Sequence, residues 1–178
     1  MQIGEKILNE LDTLRKRHDG VFLGSPSNSM DSLHPKKVKV EEDLIRVEVE
    51  VLDVDRLGCS INKLEITKLE EQTRGENTCQ SIKQESEEIK KRITYLQENM
   101  KIIESDALTS TALFRSWPPE TRDNSIDYYE INLSGGHSMP FERYRFDRVE
   151  KKRTSIPINL TKDIFSRLVN DLACIMKG

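Results

Sequence analysis

No apolar run in this sequence approaches the roughly 20 residues a helix needs to cross a bilayer. The opening stretch MQIGEKILNELDTLRKRHDG also lacks the apolar core of a secretory signal. No membrane partner is expected. Cysteine is scarce: Cys59, Cys79 and Cys174 form an odd, scattered set without a Cys-x-x-Cys pair, which fits reduced thiols better than a disulfide framework or a zinc site. The compartment expected from this is the cytoplasm, where the sequons at Asn132 and Asn159 carry little meaning. His18, His34 and His137 lie far apart, and none has a His or Cys at ligand spacing, so neither a metal nor a cofactor is expected. The local signatures of nucleotide binding, zinc proteolysis and hydrolase chemistry are missing. There is no GxGxxG, GxxxxGK[ST], HExxH or GxSxG, and no catalytic residue is assigned. Ser60 to Lys63 matches SxxK only formally, inside a predicted strand and without companion motifs.

Charge of neither sign dominates. Lys and Arg number 28 against 31 Asp and Glu, a net charge of -3, which is the profile of a solvated surface and not of a polycation or an acidic tail. At 178 residues the chain fits one domain spanning 1–178, large enough to bury a real core although only 35% of it is hydrophobic.

Periodicity gives the elements. Ile3, Ile7, Leu8, Leu11 and Leu14 share one helical face over residues 3–18. Gly20 then opens a Gly/Ser/Pro/Asn-rich stretch expected to be a flexible loop at about 20–36. KKVKV reads as a lysine-protected edge strand, and LIRVEVEVLDV alternates with period two. CSINKLEITKL returns, with a phase change that predicts a bulge near Asn62.

A long central helix is expected next, over about 82–103. Ile82, Ile89, Ile93, Leu96, Met100 and Ile103 recur at spacings of four and three, a heptad seam that is either a homo-oligomer contact or an intramolecular helix face. A long connection at about 105–126 follows, in which TALFRSW could form a short strand. DYYEINL and FERYRF alternate as two strands, and Gly135 and Gly136 between them read as a reversal. RTSIPINL offers a further strand interrupted by Pro157, and LTKDIFSRLVNDLACIMKG closes as an amphipathic helix capped by Thr161. The fold class is α+β: a mainly antiparallel sheet built from two hairpin groups, packed against an N-terminal, a long central and a C-terminal helix.

Three surfaces are candidates for function. Arg115 and Trp117 have the composition of an interface hot spot, with a loop pinned by its buried indole as the alternative. The hairpin 142–153 is basic, with Arg143 and Arg145 opposite Tyr144 and Phe146 across the strand; the plain reading pairs those arginines with Glu48 and Glu50 of the acidic first hairpin. His137 reads as a turn residue. The expected function is a small, non-enzymatic, adaptor- or chaperone-like interaction domain that binds another protein, itself as a homodimer, or both. A nucleic-acid-binding module using residues 142–153 is the alternative, and an enzyme with a site assembled around Arg115, His137 and Arg143 comes third.

Overall fold

A computed structural model describes residues 2–19, 35–69, 77–96, 98–106, 108–135 and 137–178. Among these residues the chain forms three helices and ten strands in an α+β arrangement: α1 (Ile3–Asp19), β1 (Lys36–Glu42), β2 (Ile45–Val54), β3 (Gly58–Lys68), α2 (Asn77–Arg92), β4 (Asn99–Asp106), β5 (Thr111–Trp117), β6 (Glu120–Thr121), β7 (Ser125–Ser134), β8 (Ser138–Asp147), β9 (Lys152–Ser155), β10 (Ile158–Thr161) and α3 (Lys162–Lys177). No helix among them is long and apolar enough to cross a membrane.

The strands make one antiparallel sheet in the order β1-β2-β3-β8-β7-β5-β4, as the α+β class requires. One face is apolar and lies under the helices. Val47 and Val49 of β2, Leu64 and Ile66 of β3, Phe141 of β8, Ile131 of β7 and Phe114 of β5 are all buried there, joined by Ile7 and Leu11 of α1 and Phe165, Leu168 and Leu172 of α3. Burial of so many large side chains, each worth about 1.5–3 kcal/mol, is what holds helices and sheet together. Gly4 sets how closely α1 and α3 approach, because a Cβ there would come within 2.4 Å of the Ser166 carbonyl oxygen. Its N–H donates to Asn170 Oδ1 at 2.9 Å. Thr161 caps α3 from an extended conformation, its hydroxyl accepting the Ile164 N–H at 3.4 Å.

The first hairpin follows the period-two pattern closely. Register shifts between β2 and β3 leave Asn62 and Leu52 as extra residues, so the bulge falls where the apolar phase changes. β1 pairs with β2 along its whole length, through a two-residue turn in which Asp43 and Leu44 both have positive φ.

Three expectations need correction. The central helix ends at Arg92, and Met100 and Ile103 belong to β4, so the four-and-three spacing crosses from a helix into a strand. Ile89, Ile93, Leu96 and Met100 are buried in the core of the same chain, while Ile103 is exposed. The second correction concerns 105–126, which is no long connection: β5, β6 and the start of β7 fill it. The third concerns Glu48 and Glu50, which do not meet Arg143 and Arg145. β3 stands between β2 and β8, and the two arginines leave from the helix side of the sheet, opposite the alternate face that carries the glutamates. The loop expected at 20–36 lies outside the described residues up to 34, and β1 already begins at Lys36.

Pro157 splits the last extended segment. β9 pairs with the far end of β8, whereas β10 pairs with the near end of β3, so the sheet forks where β3 and β8 part beyond Lys63 and Glu142. Proline cannot donate to either ladder, which suits it to this crossing point.

Candidate functional site

Among the described residues no helix covers the other face of the sheet, and its chemistry changes across the strands. On β2 and β3 it is charged, with Glu48, Glu50, Lys63 and Glu65. From β8 to β4 it becomes aromatic. Alternation puts Tyr144 and Phe146 of β8 opposite Tyr128 and Ile126 of β7, while β5 contributes Arg115 and Trp117. The fork then adds a residue that no local pattern announces: β9 places Arg153 opposite Phe146.

These side chains line a concavity of about 490 Å³, with Ile103 and Trp117 at one side, Phe146 and Arg153 at the other, and Ile126 and Tyr128 between. Glu130 organises the cations. Its two oxygens accept from Arg115 Nε at 2.9 Å and from Arg153 Nη2 at 2.6 Å. Arg115 lies 5.0 Å from the Tyr128 ring centroid, and Arg153 lies 3.5 Å from that of Tyr144. The rings of Tyr128 and Tyr144 are 6.2 Å apart, and Lys101 Nζ sits 5.1 Å from the Trp117 ring. Tyr128 is only 9% exposed, whereas Trp117 is 51% and Ile103 50% exposed, so the indole and the isoleucine are the most exposed apolar side chains of the groove. Burial, helped by Glu142, raises the Tyr144 phenol to about 12.

A second polar cluster occupies the helix side of β6, β7 and β8. Arg145 donates through Nε and Nη2 to the two oxygens of buried Asp127, both at 2.7 Å. Arg143 donates to Glu120 at 2.7 Å and lies 5.2 Å from the Tyr129 ring. Tyr129 in turn stacks on Phe141 at 5.4 Å. Each cation here already has a carboxylate, and together they tie the short strand β6 to its neighbours.

The residues singled out in the sequence therefore separate. Arg115 and Trp117 are in the groove. Arg143 and Arg145 are on the opposite face, bound to Glu120 and Asp127. His137 sits in the β7–β8 turn, its N–H donating to the Ser134 carbonyl at 3.0 Å and its carbonyl accepting from Lys68 N–H at 2.8 Å. From Tyr128 to the turn is roughly 20 Å along β7 at about 3.3 Å per residue, so His137 does not converge with Arg115 and Arg143. Tyr128, Glu130 and Arg153 complete the groove; the alternation of DYYEINL signals the shared face of Tyr128 and Glu130, whereas Arg153 is marked in the sequence only as one cation of the basic hairpin 142–153.

Among the described residues, no group of three or more His, Cys, Asp or Glu is placed to hold a metal ion. Cys59 is buried, which pushes its thiol up to about 12, and Cys174 is exposed. A shallower concavity of about 390 Å³ lies beside the β2–β3 turn. There the Asp55 carboxylate is held low by the Gly58 and Leu57 N–H groups that it accepts from, leaving it committed to the turn. The chain matches no protein-family model, no curated protein and no solved structure.

Proposed function

We propose that this protein is a non-enzymatic interaction module that binds a segment of another protein in the groove between β4, β5, β7, β8 and β9. The observation that carries the reading is an exposed tryptophan beside a concavity lined by Tyr128, Phe146 and two ordered arginines. Trp, Tyr and Arg are the residues in which interface binding energy concentrates, because they combine large apolar area with fixed donors. Glu130 removes much of the rotamer freedom of Arg115 and Arg153 before any partner arrives, which lowers the ordering cost of binding.

A nucleic-acid reading has one observation in its favour: Arg115 and Arg153 share the face of Tyr128 and Tyr144, as a single strand stacking on a sheet would need. The ring faces are the obstacle. Arg153 covers Tyr144, Arg115 approaches Tyr128, Tyr128 is buried, and Lys101 lies over the Trp117 ring, which leaves little open ring surface for a base to stack on. Net charge of -3 also opposes a polyanion.

Selection from a displayed random-peptide library tests the proposal, with Trp117→Arg as the counter-selection. Enrichment of peptides that bind the wild type and not the variant is the expected result. Peptides that bind both proteins equally would place the interaction elsewhere.

A further inference from the structure

We infer, building on that reading, that the groove selects acidic segments, in which an apolar side chain enters the concavity and a neighbouring carboxylate is taken by Arg115 and Arg153. Charge complementarity points this way. Lys101, Arg115 and Arg153 bracket the groove, and Glu130 is the carboxylate set among them. Glu142, the next acidic side chain along this face, lies opposite Glu130 of β7 and Lys63 of β3, whose ammonium pairs with Glu65 at 2.8 Å. The β8–β9 turn, which links Phe146 to Arg153, adds Arg148, Lys151 and Lys152 against Asp147 and Glu150. The chain as a whole is negative, so this local excess of positive charge is a feature of this surface and not of the composition.

The arginines also have donors to spare. A guanidinium carries five N–H groups. Among the described residues Arg115 gives Nε, and Arg153 gives Nη2, to Glu130, with no further hydrogen bond from either. Both guanidinia are fixed by that shared carboxylate and by the tyrosine rings beneath them, a pre-organised pair for a second carboxylate. A basic segment would meet three like charges here, and an amide-bearing one would recover only neutral hydrogen bonds.

Three matched peptides test this on the wild-type protein, by fluorescence anisotropy of a labelled end: a capped Gly/Ser peptide with Asp-Phe-Asp at its centre, the same with Asn-Phe-Asn, and the same with Lys-Phe-Lys. A single-stranded oligouridine of similar length is the fourth ligand. The Asp peptide is expected to bind roughly tenfold tighter than the Asn peptide, with the gap closing as salt rises above about 0.3 M. Arg153→Gln should erase the difference between them. Equal binding of the Asp and Asn peptides overturns acidic selection but leaves the groove as an interaction site. Failure of all three peptides, or tighter binding of oligouridine, overturns the protein-segment reading as well.

Discussion

The guanidinium of Arg153 lies 3.5 Å from the ring centroid of Tyr144 and reaches past it to donate to Glu130 at 2.6 Å. One residue of a four-residue strand thereby joins β9 to β8 and β7, and fixes one wall of the groove. The contact depends on the fork in the sheet, because β9 reaches β8 only beyond the point where β3 leaves it.

Glu130 is 8% exposed and serves both arginines. Replacing it with Ala leaves two cations over Tyr128 and Tyr144 without their shared acceptor, and a loss of about 1–3 kcal/mol is expected in urea unfolding. Stability unchanged within about 0.5 kcal/mol would show that Glu130 does not organise the pair.

Asp127 supplies a pH test on the opposite face. Hydrogen bonds from Arg145, outweighing the opposing effect of burial, hold its carboxyl below the ordinary value of 3.8. Folding lowers this pKa, so its contribution is complete above the unfolded value and fades as pH falls through the folded one. Asp127→Asn should therefore be less stable than wild type at neutral pH, and the gap should narrow below 3.8. A gap of constant size down to about pH 2.5 would contradict the assignment.

Ile93 is fully buried beneath the sheet just beyond the end of α2. Ile93→Asp buries an unpaired carboxylate, and a loss of more than about 4 kcal/mol is expected, seen as unfolding at 37 °C or below. A folded variant that differs only in oligomeric state by light scattering would return Ile93 to a subunit contact.

The β1–β2 turn holds Leu44 at φ 63 beside Asp43 at φ 47. A two-residue turn with both φ positive favours Asn-Gly, since a branched side chain in the left-handed region costs about 1–2 kcal/mol. Asp43→Asn combined with Leu44→Gly should raise the melting temperature by several degrees, at roughly 4 °C per kcal/mol. A fall would mean that the exposed Leu44 side chain, or the Asp43 carboxylate that accepts from Lys177 Nζ at 3.0 Å, contributes more than the turn geometry.

How much of this was legible in the sequence follows from the range of each signal. Alternation in RVEVEV, the phase change at Asn62 and the Thr161 cap are local, and each corresponds to an observed feature. The stretch from Ile89 to Ile103 misled because spacings of four and three also arise when a buried helix end, a short bend and an edge strand follow one another. Which strands neighbour each other is set by long-range packing, so Arg143 and Arg145 were matched to Glu48 and Glu50 instead of Glu120 and Asp127. Trp117 and Arg115 stood out by composition. Arg153 was visible only as one of a group of cations, because its role comes from pairing with β8.

Trp117 is the only tryptophan in the chain, which makes its emission a direct report on the groove. Titrating the protein with a peptide selected against it, while following tryptophan emission and the anisotropy of the labelled peptide together, tests the central claim. The account predicts a saturable blue shift that tracks peptide binding with one dissociation constant, as the half-exposed indole loses water. Full binding by anisotropy with the emission unchanged would contradict it, since the partner would then sit away from the exposed indole of the groove.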